Sequence, residues 1–242
     1  MSSTAKRRVL VTGCNRGIGL ATTQSLLEQG MRVVGLGRQE QSPLKESNDF
    51  SYLPCDLSNL QKLSGTFKEI LATYPDLDAV IANAGIGSFG HLEQTSDGEI
   101  LHAVNVNLTS QILLAKAFTP HLKTLGRGDF IFVGSVAGIH PGKKGSIYCA
   151  TKAGLRALSQ ALREECSSKN VRVMLIQPGM TRTNFYEQLH FEPGNDITHA
   201  LEPLDVANLI VTLLTMPGHM VIDEITATPL KKVIQFKPST LE

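Results

Sequence analysis

No apolar run in this chain approaches the roughly 18 residues needed to span a bilayer, which argues against a membrane-spanning helix. The opening stretch MSSTAKRRVLVTG is basic, but its apolar run VLV is too short for the core of a signal peptide. It reads as a short tail leading into a strand. Excess charge is lacking too: the formal net charge is +1, so neither a nucleic-acid nor a membrane partner is indicated. The four cysteines, Cys14, Cys55, Cys149 and Cys166, are scattered without a C-x-x-C pair or a His/Cys cluster, against a disulfide framework or a zinc site. The seven histidines show no metal-ligand spacing, and no metal is expected. Reduced thiols fit a cytoplasmic setting. No repeat, low-complexity tract or linker divides the chain, so one domain over residues 1–242 is expected.

What is present is an alternation. Apolar runs of the buried-strand kind fall at Val9–Thr12, Arg32–Leu36, Phe50–Leu53, Ala79–Ala82, Phe130–Val133, Val171–Gln177 and Met220–Ile225, with helical patterns such as Ile18–Gln29 and Leu60–Tyr74 between them. Ser58 and Gln61 have the spacing of a capping box for the second of these helices. Strands alternating with helices imply an α/β fold, a seven-stranded parallel sheet covered on both faces. One stretch, NFYEQLHFEPGNDITHA at about 184–200, resists the pattern and reads as a mobile functional loop.

The first strand runs into TGCNRGIG, residues 12–19, and then a helix. Gly13, Gly17 and Gly19 fall where a strand must turn sharply and let a pyrophosphate approach the backbone at a helix N-terminus. Their spacing is not G-x-G-x-x-G, and a glycine-rich turn without ligand is the competing reading. About twenty residues on, Gly37 and Arg38 stand where an acidic residue takes the ribose 2′-hydroxyl in NAD enzymes. Arg16 and Arg38 aimed at the ribose suit a 2′-phosphate, so NADP is favoured over NAD. Glu40 is the counter-signal: a tighter turn brings it to the ribose, and Arg38 alone is also an ordinary solvated arginine.

Further features fall at the carboxyl ends of the expected strands or on the following helices. ANAG (82–85) ends the fourth strand, Asn107 follows within NVNLTS, and Ser135 ends the fifth. Tyr148 and Lys152, in YCATKAG, are one helical turn apart and share a face. With four tyrosines in the chain, about a quarter of such a match is expected by chance, so the pair alone carries little. Asn105 lies about 200° from Asn107 on a helix, and only one of them can face the site.

Taken in order and spacing, TGCNRGIG, CDL (55–57), NAG (83–85), Asn107, Ser135, Tyr148-x-x-x-Lys152 and PGMTRT (178–183) resemble the short-chain dehydrogenase/reductase family, of the short single-domain type. The resemblance covers nearly the whole chain. It implies a doubly wound, Rossmann-like fold and a catalytic tetrad of Asn107, Ser135, Tyr148 and Lys152, and it favours Asn107 over Asn105. It implies a cofactor site for NADP(H) from Gly13, Asn15, Arg16, Gly17, Ile18 and Gly19, from Arg38, Asp56 and Leu57, from Asn83, Ala84 and Gly85, and from Pro178, Gly179, Thr181 and Thr183, with Tyr148 and Lys152. Asp56 is expected near the adenine, Asn83 near the ribose and Thr183 near the nicotinamide end.

The chemistry implied is interconversion of a carbonyl and a secondary alcohol. Tyr148 supplies the proton, but its ordinary value near 10 makes it a poor base at neutral pH. Lys152 and an oxidised nicotinamide are expected to favour the phenolate, and a shift of about three units is worth roughly 4 kcal/mol. Ser135 is expected to hold the substrate oxygen, Lys152 the nicotinamide ribose, and Asn107 a water linking Lys152 to solvent.

Other features are weighed more plainly. His140, in the loop leading to Tyr148, is a candidate substrate contact; Lys143 and Lys144 read as a solvated loop, and Cys149 as a buried thiol. Ala150, Ala153, Gly154, Ala157 and Ala161 form a small-residue stripe, and a homodimer or homotetramer is expected. Phe185, Tyr186, Leu189 and Phe191 are expected to cover the substrate. Arg182 either pairs with an acidic substrate or faces solvent.

The ending MPGHMVIDEITATPLKKV lacks an Asp-Gly-Gly segment and resembles the NADP-dependent 3-hydroxy acid and serine dehydrogenase subgroup. The alternative is a 3-oxoacyl-carrier-protein reductase, for which Lys123, Arg127, Lys169 and Arg172 are the candidate basic patch. From another class, a non-catalytic NADP(H)-binding regulator remains open, although a sensor has no need of Tyr148.

Overall fold

Side chains of successive strand residues point to opposite faces, and here that alternation sorts the apolar residues into two cores. Leu10, Phe130, Phe132, Val173 and Leu175 pack on one face. Val9, Val11, Ile131, Val133, Met174 and Ile176 pack on the other. Strands buried on both faces are what parallel sheets require, because helices cover each side.

The computed structural model describes residues 6–237. The elements run β1 (Arg8–Thr12), α1 (Gly17–Glu28), β2 (Arg32–Gly37), β3 (Phe50–Pro54), α2 (Leu60–Thr73), β4 (Leu77–Ala82) and α3 (Asp97–Val104). A π-helical turn (Asn105–Thr109) leads into α4 (Ser110–Leu125), β5 (Gly128–Val133), α5 (Ser146–Ser167), β6 (Val171–Pro178) and β7 (Phe191–Pro193). The chain continues through α6 (Pro203–Thr215) and β8 (Glu224–Ala227) to β9 (Ile234–Phe236). Seven strands form one parallel, Rossmann-like sheet in the order β3-β2-β1-β4-β5-β6-β8. The connections reverse direction between β1 and β4, which opens a crevice at the carboxyl ends of those strands, the usual place for a ligand. Among the described residues, no helix is long and apolar enough to cross a membrane.

Three local expectations are corrected. The last strand of the sheet is Glu224–Ala227 rather than Met220–Ile225. The carbonyls of Met216 and Met220 turn instead to the Arg172 guanidinium, so this stretch does not enter the ladder until Glu224. The Ser58–Gln61 capping box does not form: Asn59 precedes α2, and the Ser58 hydroxyl donates to Asp56. The segment at 184–200 is not irregular throughout, since β7 pairs antiparallel with β9 near the C-terminus.

At the amino ends of the strands lies a buried ionic cluster. Asp129 accepts from Arg172 Nε (2.5 Å) and Nη2 (3.0 Å) and from Arg7 Nη2 (2.6 Å), while Arg7 Nε also donates to Asp78 (3.2 Å). Both guanidiniums also reach the Leu214 carbonyl in the last turn of α6, where cations complement the helix dipole. Arg172 is therefore a buried structural ion and not part of a surface patch.

Candidate active site

Thr12, the last residue of β1, joins the two strands that flank the crevice. Its buried hydroxyl accepts from the backbone amides of Asn83 and Ala84, each at 3.0 Å, and Asn83 Nδ2 donates back to the Thr12 carbonyl at 2.9 Å. The loop that follows bends through left-handed conformations at Gly13 (φ +70°) and Gly17 (φ +55°), where residues with side chains are strained. A Cβ added at Gly19 would lie 2.0 Å from the Gly13 carbonyl oxygen, so only glycine lets α1 start so close to the loop.

Helix α1 begins with no side-chain cap from Arg16 and no acidic residue in its first turn. Its orphan amides and positive dipole end are thus available to an anion. These features fit a dinucleotide pyrophosphate. Arg16 and Arg38 are exposed, and neither guanidinium enters a hydrogen bond or ion pair within the described residues. Glu40 is exposed on the same rim.

The other expected cofactor residues contribute differently. Asn15 spends its amide on the Tyr52 hydroxyl (2.9 Å) and Gln39 Oε1 (3.1 Å), tying the glycine loop to the β2–β3 edge. Ile18 packs against one core and Leu57 is buried in the other, so their backbones rather than their side chains are left for a ligand. Partial burial pushes the Asp56 carboxyl up, but the Ser58 amide and hydroxyl, with Arg38 nearby, hold it below its usual value. Gly85 is exposed, and a Cβ there would lie 3.3 Å from Asn107 Oδ1 and 3.5 Å from Lys152 Nζ. Pro178 ends β6, Gly179 donates to the Ala227 carbonyl, and Thr181 turns its buried hydroxyl to the Gly179 carbonyl. Thr183 lies against Gly17, bringing the segment after β6 to the glycine loop.

The four tetrad residues converge where β4, β5 and α5 meet. Ser135 follows β5 in extended conformation, and its hydroxyl accepts from the Ala137 amide at 3.2 Å. Helix α5 carries Tyr148 and Lys152 on one face, both buried. Lys152 Nζ donates to the Val133 carbonyl at 3.0 Å and lies 5.8 Å from the Tyr148 ring centroid. Burial lowers the Lys152 ammonium to about 8. Burial also pushes the Tyr148 phenol up, with Ser135 pulling the other way. The expectation that Lys152 and an oxidised nicotinamide together favour the phenolate concerns the loaded site; in the protein alone, desolvation of the phenolate dominates.

Asn107 is fully buried on the π-helical turn, a device found at functional sites because it re-aims a side chain. Its Oδ1 accepts from the Ile86 amide (2.8 Å), and its Nδ2 donates to the Ile86 carbonyl (2.9 Å). Both heteroatoms of the amide bond the backbone of Ile86, so the side chain clamps the loop after β4. Asn105 is only half-buried. His140 is exposed, and only its backbone amide is seen bonded, to the Val136 carbonyl.

Over Tyr148 sits an aromatic cluster. Phe89 lies 5.1 Å and Phe185 5.5 Å from its ring, and Phe191 meets the edge of Phe89 at 5.1 Å. Arg182 is committed within the protein. Its Nε donates to Glu202 (3.0 Å), and its terminal nitrogens donate to the carbonyls of Gly194 (3.2 Å) and Asp196 (3.1 Å).

Sequence reasoning missed Thr12, Gln111, Thr151 and Phe89. Gln111 Nε2 donates to the Ala84 carbonyl, and Thr151 bridges the Asn107 amide to the Tyr148 carbonyl. Phe89 lies six residues beyond Asn83, and its apolar side chain in a glycine-rich loop was the available signal.

A sequence profile described as short chain dehydrogenase matches residues 7–192. An uncharacterized oxidoreductase of Staphylococcus aureus (strain USA300) is 30% identical over 226 residues, covering 91% of this chain and 96% of the relative. An alcohol dehydrogenase from the archaeon Thermococcus sibiricus, complexed with 5-hydroxy-NADP, superposes with a TM-score of 0.80 at 26% identity, over 92% of this chain and 96% of that one. The closed form of a serine dehydrogenase complexed with NADP+ also gives 0.80, at 25% identity, over 91% and 94%.

Proposed function

The chain belongs to the short-chain dehydrogenase/reductase family of oxidoreductases, and on that footing we propose that it interconverts a carbonyl and a secondary alcohol using NADP(H), with Tyr148 as acid and base. The observation that carries this reading is the convergence of Ser135, Tyr148 and Lys152 at the end of the crevice flanked by the glycine loop. Preference for NADP rests on Arg16 and Arg38, two exposed guanidiniums with no hydrogen-bond or ion-pair partner among the described residues. The NADP-type ligands of the two structural neighbours support it.

When bound, the reduced nicotinamide supplies a hydride to the carbonyl carbon. The amides at the start of α1 and the backbone of the glycine loop would hold the pyrophosphate, and Thr183, which lies against Gly17, would stand beside it. Ser135 orients the substrate oxygen, and the Tyr148 hydroxyl donates its proton there as negative charge builds. The balance is carbonyl, NADPH and one proton giving alcohol and NADP+, with Tyr148 reprotonated from solvent. Lys152 stabilises the phenolate left behind.

The carrier-protein alternative lacks support from its patch. Arg172 is buried against Asp129, and Arg127 and Lys169 lie just before the amino ends of β5 and β6, opposite the crevice. Assembly as a homodimer or homotetramer is also proposed. Ala150, Ala153, Ala157 and Ala161 line an exposed face of α5, while Gly154 turns inward against Leu108.

The test is loss of NADPH absorbance over a panel of ketones, diketones and 3-oxo esters, with NADH and Tyr148→Phe in parallel. Turnover with NADPH that disappears in the variant is the expected result. Tight cofactor binding without turnover of any compound would instead favour a regulator.

A further inference from the structure

We propose that this site takes an uncharged carbonyl compound with an aromatic or similarly broad apolar group beside the reacting carbon, and that it discriminates against substrates bearing a carboxylate. The inference rests on the reading of Tyr148 as proton donor and adds the substrate class.

The walls come first. Phe89 and Phe185 flank the Tyr148 ring at 5.1 and 5.5 Å, within the range of direct aromatic contact, and Phe191 closes the far side of Phe89 edge-on. Gly87 makes this closure possible: a Cβ there would lie 3.1 Å from Phe185 Cζ and 3.5 Å from Leu189 Cδ1. The rings packed on Tyr148 are therefore Phe89 and Phe185, with Phe191 behind Phe89 and Leu189 beside Gly87. Their π-faces stack well on a planar group and offer a carboxylate nothing.

Next come the cations. Arg182 is the guanidinium at the lid and lines a cavity there beside Thr183 and Tyr186, yet it is committed to Glu202 and to two carbonyls that hold the 194–196 turn. Releasing it would unpair those groups. Lys237, which reaches the lid from the other side, donates to the carbonyls of Tyr186 and Glu187. Lys152 is bound to the Val133 carbonyl. Lys143 and Lys144 are exposed in the loop before α5.

The lid is also held in place. Strand β7 pairs with β9, and the Lys237 amide donates to the His190 carbonyl. A swing of the segment that would carry a cation inward has to break this pairing. A carboxylate entering beside Tyr148 is consequently desolvated with Arg182, Lys237 and Lys152 already committed elsewhere, a cost that binding of an apolar substrate avoids. Burial of Tyr148 is consistent with so dry a site. Serine, named for one structural neighbour, carries charges for which this lid shows no ready partner.

The experiment uses wild-type protein with saturating NADPH and matched pairs that share the reacting ketone: ethyl benzoylformate against benzoylformate, and ethyl 3-oxobutanoate against 3-oxobutanoate. We expect kcat/KM to favour each ester over its acid by at least about 100-fold, the scale of leaving one charge unpaired in an apolar site. Phe185→Ala should erase a several-fold preference for the aryl ester over the alkyl ester. A smaller ester advantage, or a preference for the acids, overturns the inference while leaving turnover and its dependence on Tyr148 intact. Loss of acid activity alone in Arg182→Gln would identify that guanidinium as the acid's partner and have the same consequence. Absence of turnover for all four compounds, and for the wider ketone panel, overturns the reading of Tyr148 and this inference with it.

Discussion

Lys152 directs its ammonium at the Val133 carbonyl, 3.0 Å away, while standing 5.8 Å from the centre of the Tyr148 ring. One buried cation therefore fixes α5 to the end of β5 while standing beside the phenol ring.

This geometry makes pH informative. Burial lowers the Lys152 ammonium from its ordinary 10.5 to about 8, so reduction should weaken as pH rises through about 8 and the positive charge is lost. For stability the sign is opposite. Between about 8 and 10.5 the unfolded chain holds a proton that the folded chain has released, so this group's contribution rises with pH across that window. Below it, the cost of the buried charge is fully present, on the order of 3 kcal/mol. Urea unfolding at pH 7 and pH 9.5 should show Lys152→Met gaining stability over wild type at the lower pH and less at the higher, while its reductase rate falls by about 100-fold or more.

Gly19→Ala should fail for a steric reason. The new methyl would sit 2.0 Å from the Gly13 carbonyl oxygen, a backbone atom with no room to withdraw while Asn83 and Thr12 hold the loop. We expect loss of about 1–3 kcal/mol of stability, typical of overpacking, and loss of the thermal stabilisation that NADP+ gives wild type. Differential scanning fluorimetry with and without the cofactor reads both.

Charge reversal on the rim tests the cofactor preference. Arg16→Ala combined with Arg38→Glu should weaken NADPH binding by about 10- to 100-fold, the scale of one or two charge-assisted hydrogen bonds, with little effect on NADH. Titration of cofactor fluorescence measures both dissociation constants. Equal losses for the two cofactors would show that these guanidiniums do not read the 2′-phosphate.

The strap on the lid makes a separate prediction. Lys237→Met removes the donor to the Tyr186 and Glu187 carbonyls and should loosen Phe185 and Phe191 over the site. KM for apolar ketones should rise several-fold, with global stability changed by less than about 1 kcal/mol because the contact is partly exposed. Steady-state kinetics and a melting curve separate the two effects.

Much of this was legible in the residues. Buried strands such as Phe130–Val133 and the turn TGCNRGIG are local signals, written in short-range periodicity and in glycine where the backbone must turn or touch. The Tyr148–Lys152 pair is visible for the same reason, because a helix puts i and i+4 on one face.

What tertiary structure alone decided were the partners of charged and polar side chains. Arg182 and Arg172 read equally well as surface cations, yet one became a strut for the lid and the other a buried ion beside Asp129. Burial pushes the Tyr148 phenol up in the protein alone, and its cover, Phe89 and Phe185, comes from far away in the chain, so no local signal announced it. The pairing of β7 with β9 was hidden for a similar reason: each strand is three residues long, too short for a periodic signal, and each exists through the other.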